Sequence, residues 1–133
     1  IITAGKLIPR LDMPLNLDSI NATRYQNKTS GGDIKWILKP TTSLKDRTVL
    51  IVDDILDEGF TLAAIKEHCL SDGAKAVYTA ALVDKDLGRE KPITVDFIGL
   101  TTENRYLFGY GMDYKGYLRN APGIYAVKEA IHG

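Results

Sequence analysis

Four carboxylates and a glycine lie close together in residues 53–61, and their types and spacing suit a sugar phosphate. Asp53 and Asp54 form an acidic pair, and Asp57 follows three residues later. Paired carboxylates can accept hydrogen bonds from a ribose diol or hold a hydrated Mg²⁺, a hard cation that prefers oxygen ligands. Gly59 allows the backbone to approach an anion closely. The segment therefore predicts a site for a ribose, a phosphate and a cation, with Asp57 able to accept a proton from the ligand.

One strand and one helix must position these groups. Residues 48–52 form an apolar, β-branched run, which is typical of a strand covered on both faces in a parallel sheet. A helix is expected over residues 61–71, ended by Asp72 and Gly73 because glycine suits a left-handed cap. The first amides of a helix have no partner inside it, so the amides of residues 57–61 can bind a phosphate. Acids are favourable in the first turn of any helix, but that does not account for an acidic pair directly after an apolar strand.

Two more buried strands are expected at residues 76–83 and 94–100. The order strand, helix, strand predicts a right-handed βαβ unit and an open α/β sheet, in which ligands bind beyond the carboxyl ends of the strands. We therefore expect the chemistry to lie just after Val52, Val83 and Leu100.

The first part of the chain is predicted to hold a helix and two strands. The helix ends near Leu11, and strands follow at residues 15–25 and 33–39. The intervening residues 26–33 are polar and contain two glycines, in a loop longer than a tight hairpin needs. Loops of this kind often cover a binding site. The first residues resemble the interior of a helix, so we expect the chain to begin part-way into its domain.

Composition limits the classes of function. The 133 residues suffice for one domain with one buried core. Lys and Arg together number 17, as do Asp and Glu, so no overall field attracts nucleic acid or an acidic membrane surface. Phosphate binding must therefore arise locally. Cys69 is the only cysteine, which excludes an internal disulfide and fits a reducing compartment, and we expect its thiol to be buried.

Residues 49–61 resemble the phosphoribosyl pyrophosphate signature of the type I phosphoribosyltransferases: an apolar strand, two acids, two apolar residues, Asp, one residue, Gly, one residue and Thr. The resemblance implies the type I phosphoribosyltransferase fold, an open and mostly parallel α/β sheet flanked by helices, with a flexible hairpin lid. It also implies that the acidic pair contacts the ribose hydroxyls and that Asp57 is the catalytic base for the purine N7 proton. The implied ribose and 5′-phosphate site consists of Asp53, Asp54, Asp57, Glu58, Gly59, Phe60 and Thr61.

A second set of residues resembles the purine-binding part of the hypoxanthine-guanine branch of this family. Lys85 is similar to the lysine that hydrogen-bonds the 6-oxo group, and an ammonium only donates, so it favours an oxygen over the amino group of adenine. Residues 106–114 are similar to the block that carries the base-stacking aromatic. The resemblance implies purine contacts from Lys85, Tyr106, Leu107 and Asp113, pyrophosphate binding by Arg119, and metal contacts from Asp113, Asp53 and Asp54.

The chain departs from the family pattern at three positions. Asp53 stands where many relatives have Glu, Phe60 where some have Lys, and Arg24 where Ser is common. The changes at Asp53 and Phe60 should not abolish phosphate binding, because the phosphate contacts are mostly made by backbone amides. Residues 26–33 correspond to the catalytic lid. The family's N-terminal strand and Gly-containing pyrophosphate loop are not found, so residues 1–133 are expected to form a single phosphoribosyltransferase domain without its N-terminal part.

The resemblance implies a function in purine salvage. Members of this branch transfer the phosphoribosyl group of phosphoribosyl pyrophosphate to N9 of hypoxanthine or guanine, giving IMP or GMP and pyrophosphate, with Mg²⁺ as cofactor. It further implies a cytoplasmic homodimer or homotetramer, with no nucleic-acid or membrane partner.

Two other classes of protein share some of these features. A response-regulator receiver domain also has an acidic pair at the end of its first strand, but there the pair stands near the start of the domain. A regulator with the phosphoribosyltransferase fold could bind RNA instead of catalysing transfer. The zero net charge and the absence of a basic stripe in the sequence argue against the RNA-binding class.

Overall fold

The computed structural model describes residues 1–24 and 34–128. The predicted lid, residues 26–33, lies outside the described residues. The elements in chain order are α1 (Ile2–Leu7), a 3-10 turn (Ile8–Arg10), β1 (Asn21–Arg24), β2 (Ile34–Leu38), β3 (Thr48–Leu56), α2 (Phe60–Ser71), β4 (Ala76–Lys85), β5 (Phe97–Thr102), β6 (Leu107–Phe108) and β7 (Tyr125–Ala126).

The central sheet consists of β3, β4 and β5, which are parallel and lie in that order. Thr48 of β3 pairs with Ala76 at the amino end of β4, and Lys85 at the carboxyl end of β4 pairs with Thr102 of β5. The connection from β3 to β4 runs through α2, so the predicted strand–helix–strand unit is confirmed. The carboxyl ends of the three strands meet at one edge, where ligands bind in open α/β sheets.

Helix α2 is held against the sheet by its apolar side. Leu62, Ile65 and Cys69 are buried on this helix. Ile65 and Cys69 form a core cluster with Val77 of β4, and Trp36 of β2 packs against the same cluster. The expected burial of the Cys69 thiol is confirmed, and this burial raises its pKa. The same contacts attach the antiparallel β1–β2 pair to α2.

Strand β3 is longer than predicted and less covered. It continues past Val52 to Leu56, because Ile55 and Leu56 extend the pairing with β4. The acidic pair therefore lies inside the strand, and the prediction that it follows the strand is wrong. Leu50 is 40% exposed, so the prediction of burial on both faces is also wrong at that residue.

Two other strand predictions need correction. Of residues 15–25, only Asn21–Arg24 form a described strand, and Leu15 and Leu17 are exposed because their loose alternation gives no continuous apolar face. The strand expected at residues 94–100 begins at Phe97 instead. Just before this strand, the Asp96 carboxylate accepts a hydrogen bond from the Thr79 amide of β4 at 2.8 Å. A side chain, and not the backbone of a paired strand, therefore satisfies this donor of β4. The predicted burial of the strand at residues 94–100 is also wrong, because β5 lies at the edge of the described sheet and Phe97, Ile98 and Leu100 are exposed.

Other local predictions agree with the structure. The opening helix and its 3-10 turn end before Leu11, and the strand expected at residues 33–39 is β2. Helix α2 ends at Ser71, with Gly73 in the left-handed region at φ 96°. Within residues 1–24 and 34–128, the helices are too short or too polar to cross a membrane.

Candidate active site

Asp53 and Asp54 are neighbours on β3, near its carboxyl end. The Asp54 amide donates a 2.8 Å hydrogen bond to Asp53 Oδ1. Desolvation by the surrounding protein and the neighbouring Asp54 carboxyl raise the pKa of Asp53 to about 7. A pair that resists carrying two negative charges suits a ligand with hydroxyl donors or a cation, either of which would stabilise the charged form.

The start of α2 offers backbone donors to an anion. Gly59 precedes the helix with φ 90°, in the left-handed region, and no side chain of the described residues caps the helix start. A Cβ at Gly59 would lie 3.2 Å from Ile93 Cγ2 and 3.4 Å from Leu56 Cδ1. Only glycine therefore combines this backbone conformation with this packing, and the uncapped amides that follow can bind a phosphate.

An open cleft of about 510 Å³ lies at this turn. Arg24, Leu87, Arg89 and Asn104 line it together with residues of β3 and α2. Of the residues predicted to bind the ribose and the 5′-phosphate, all except Asp54 line the cleft: Asp53, Asp57, Glu58, Gly59, Phe60 and Thr61.

Asp57 and Lys85 come together although they lie on different parts of the chain. Lys85 Nζ donates to Asp57 Oδ2 at 3.3 Å. The Lys85 side chain is only 10% exposed, whereas that of Asp57 is 55% exposed. One donor and one acceptor therefore stand side by side at the carboxyl edge of the sheet, with the acceptor open to a ligand.

A hydrophobic cluster joins the ends of β3 and β4 to the aromatic segment at residues 106–114. Val83 of β4 is buried with Leu107 and Met112, and Ile55 of β3 packs against them. Val83 precedes Lys85 by two residues, and Leu107 and Met112 are next to Tyr106 and Asp113 in the chain. The two segments predicted to bind the purine therefore share one part of the core.

Tyr106, Asp113 and Arg119 lie close together, because both Tyr106 and Arg119 contact Asp113. Tyr106 is 52% exposed, and its hydroxyl donates to the Asp113 carbonyl at 3.1 Å. Asp113 Oδ2 accepts from the Gly116 amide at 2.8 Å, and its Oδ1 lies 3.7 Å from Arg119 Nη2. Arg119 Nη1 donates to the Gly111 carbonyl, while 61% of the arginine side chain remains exposed. An exposed aromatic ring and an exposed guanidinium suit a base and an anion, respectively.

The fit to a metal ion can be tested on the carboxylates. In the part of the chain that the structure describes, no three His, Cys, Asp or Glu side chains gather as a metal site. Asp113 therefore does not join Asp53 and Asp54 in one group. Mg²⁺ usually binds through one or two carboxylates and keeps waters and substrate phosphates as its other ligands. The adjacent pair on β3 fits a cation of that kind.

Sequence reasoning missed a group of cations around Glu58. Arg24 Nη1 lies 3.2 Å and Arg89 Nη2 3.6 Å from the Glu58 carboxylate. The Arg24 guanidinium also lies 4.5 Å above the Phe60 ring, at a cation–π distance. Arg24 stood out in the sequence only as a departure from the family pattern, and Arg89 follows the end of β4, where ligand-binding loops are expected.

The fold and the site define an α/β protein with an open cleft, lined by charged residues, at the carboxyl edge of a parallel sheet. Residues 1–115 match the phosphoribosyl transferase domain family, and the chain belongs to that family. This membership excludes the response-regulator receiver class.

Individual relatives share most of the chain. The hypoxanthine-guanine phosphoribosyltransferase of Bacillus subtilis (strain 168) is 36% identical over 127 residues, which are 95% of this chain and 71% of that protein. The corresponding protein of Lactococcus lactis subsp. lactis (strain IL1403) is 37% identical over 129 residues, 96% of this chain and 70% of that protein. The crystal structure of a hypoxanthine phosphoribosyltransferase from Staphylococcus aureus superposes with a TM-score of 0.89 at 28% identity, covering 99% of this chain and 72% of that one. This similarity confirms the predicted phosphoribosyltransferase fold.

Proposed function

We propose that this protein transfers the phosphoribosyl group of phosphoribosyl pyrophosphate to N9 of hypoxanthine or guanine, giving IMP or GMP and pyrophosphate in purine salvage. Family membership and the named relatives support this reaction class. The single observation that carries the choice of base is the 3.3 Å contact between Lys85 and Asp57.

This contact matches the edge that a 6-oxopurine presents. O6 is an acceptor and the adjacent N7 carries a proton in one tautomer of the free base. An ammonium beside a carboxylate offers a donor to O6 and an acceptor to the N7 proton. Adenine presents an amino group in place of O6, and an ammonium has no acceptor for it. Sites built around a required hydrogen bond discriminate by about 10⁴–10⁵ when the partner is missing.

Separate groups of residues bind the ribose, the 5′-phosphate and the base. Asp53 and Asp54 accept hydrogen bonds from the ribose hydroxyls, and the amides at the start of α2 bind the 5′-phosphate with the Thr61 hydroxyl. Tyr106 stacks on the base, a contact worth about 1–3 kcal/mol by analogy with bases on protein aromatics. Lys85 fixes O6, and the backbone of Leu107 contacts the base edge. This arrangement turns N9 toward C1′ of the ribose.

Proton and charge movements complete the reaction. Asp57 accepts the N7 proton as N9 bonds to C1′, and general-base assistance of this kind contributes about 10²–10⁴-fold. Arg119 binds the departing pyrophosphate with its fork of donors. Mg²⁺ carried by the substrate would neutralise pyrophosphate charge, with Asp53 and Asp54 as the residues proposed to contact it together. Asp113 would contact a cation apart from that pair.

We further propose that residues 1–133 belong to one phosphoribosyltransferase domain. A cytoplasmic location, where phosphoribosyl pyrophosphate is at hand, fits the one free, buried thiol. A homodimer or homotetramer without nucleic-acid or membrane partners remains our expectation from the family resemblance.

Parallel assays of the full-length protein test the function. Phosphoribosyl pyrophosphate and Mg²⁺ are incubated with hypoxanthine, guanine, xanthine or adenine, and nucleotide and pyrophosphate are quantified together. We expect hypoxanthine to give IMP and guanine to give GMP, with one pyrophosphate released for each nucleotide formed. No nucleotide from any 6-oxopurine would contradict the proposal, and efficient formation of AMP would contradict the assigned role of Lys85.

A further inference from the structure

The loop between β4 and β5 places a buried ammonium behind the proposed purine site. The Lys91 side chain is only 11% exposed. Its Nζ donates to Asp84 Oδ1 at 2.7 Å, to the Lys85 carbonyl at 2.5 Å and to the Leu56 carbonyl at 3.1 Å. An ammonium has three donors, so these three acceptors use all of them. A buried cation is tolerated where it is paired and fully hydrogen-bonded, and Lys91 meets both conditions.

The three acceptors lie at the carboxyl ends of two neighbouring strands. Leu56 is the last residue of β3 and directly precedes Asp57. Asp84 and Lys85 are the last two residues of β4. Lys91 therefore ties together the backbone on either side of the contact between Asp57 and Lys85, while it touches neither of their functional groups.

We propose that Lys91 is a positioning residue for purine recognition. By holding the Leu56 and Lys85 carbonyls on one ammonium, it sets the separation of the Asp57 carboxylate and the Lys85 ammonium and so their match to N7 and O6. This inference rests on the proposed function. A shift of about 1 Å at such a site can cost about 10²-fold in rate, so the loss of this tie should be measurable.

A purely structural role has a different signature. If Lys91 only balanced the charge of Asp84, removing both charges would restore the protein completely. If Lys91 positions the two strand ends, removing both charges would relieve the unpaired carboxylate without restoring the links to the two carbonyls. Removing both charges therefore distinguishes an effect on folding stability from an effect on purine recognition.

The experiment compares five full-length proteins: unsubstituted, Lys91→Met, Asp84→Asn, the Lys91→Met/Asp84→Asn double variant, and Lys75→Met as a control. Lys75 is an exposed lysine just before the amino end of β4, at the opposite edge of the sheet. KM and kcat are measured with hypoxanthine varied and then with phosphoribosyl pyrophosphate varied. Thermal unfolding midpoints are recorded for each protein.

We expect Lys91→Met to reduce kcat/KM for hypoxanthine by about tenfold or more while KM for phosphoribosyl pyrophosphate stays within about twofold. The double variant should recover much of the unfolding midpoint but little of this kcat/KM. Recovery of both in the double variant, or equal loss for both substrates, would overturn the positioning role. An unsubstituted protein that forms no nucleotide would instead reveal failure of the proposed function, and the inference would fall with it.

Discussion

The Lys85 ammonium lies 3.3 Å from the Asp57 carboxylate, although 28 residues separate them in the chain. Parallel pairing of β3 with β4 produces this contact, because Leu56 and Asp84 are register partners and each directly precedes one of the two residues. Removing the acceptor while keeping its shape should leave ligand binding largely intact and slow the chemistry. Asp57→Asn should therefore reduce kcat by about 10²–10⁴-fold with little change in KM for phosphoribosyl pyrophosphate.

Steady-state kinetics with hypoxanthine check this prediction. Asp12→Asn is the matched control, since Asp12 is an exposed aspartate close to the opening helix. A turnover number unchanged in Asp57→Asn would remove Asp57 from its role as the base.

Gly59 should be sensitive to the addition of a single methyl group. Its φ of 90° disfavours any residue with a Cβ by about 1–2 kcal/mol, and the new Cβ would press on Ile93 at 3.2 Å. We expect Gly59→Ala to lower the unfolding free energy and to raise KM for phosphoribosyl pyrophosphate, because the turn before α2 must shift.

Gly116→Ala is a control that separates backbone strain from close packing. Gly116 has a φ of 83°, but no atom lies within 4 Å of the added Cβ. Chemical denaturation and substrate kinetics of both variants give the comparison. If Gly59→Ala were no more harmful to KM than Gly116→Ala, the close packing at the phosphate turn would have no functional role.

The pH dependence of stability should expose the contribution of Asp18. The backbone amides of Thr42, Ser19 and Thr41 donate to its carboxylate and lower its pKa to about 2. A carboxyl whose pKa is lower in the folded state stabilises the protein above its unfolded pKa near 4, and this stabilisation is lost as the pH falls toward 2. Asp18→Asn should therefore be less stable than the unsubstituted protein at pH 7, with a deficit that shrinks below about pH 4.

Denaturant unfolding at pH 7, 5 and 3 measures this deficit, with Asp12→Asn as the control for removal of an exposed charge. A deficit of the same size at every pH would show that the amide contacts of Asp18 do not depend on its charge.

Local patterns in the sequence predicted the elements that carry the site. The β-branched run and the glycine cap were sufficient for β3 and α2, because strand propensity and helix termination are local properties. The end of β3 was misplaced because acids are usually poor strand residues, whereas here pairing with β4 continues through Asp53 and beyond. A strand was wrongly predicted at residues 15–20, because loosely alternating apolar residues need not form a continuous face that becomes buried.

The tertiary contacts of the site could be predicted only in part. Family resemblance named Asp57 and Lys85, and the parallel register explains why they meet. The cations around Glu58 and the ammonium of Lys91 were missed, since their partners are distant in sequence and include backbone carbonyls. A lysine in a polar loop is most often exposed, so nothing local marked Lys91 as buried.

The discrimination between hypoxanthine and adenine depends on whether Lys85 recognises O6 and Asp57 recognises N7. The ratio of kcat/KM for the two bases is measured in the full-length protein, in Lys85→Gln and in the exposed control Lys75→Gln. The unsubstituted protein should strongly prefer hypoxanthine. A glutamine amide can both donate and accept, so we predict that this preference falls by at least about 10²-fold in Lys85→Gln but not in Lys75→Gln. A preference that survives Lys85→Gln unchanged, or is absent from the unsubstituted protein, would contradict this prediction.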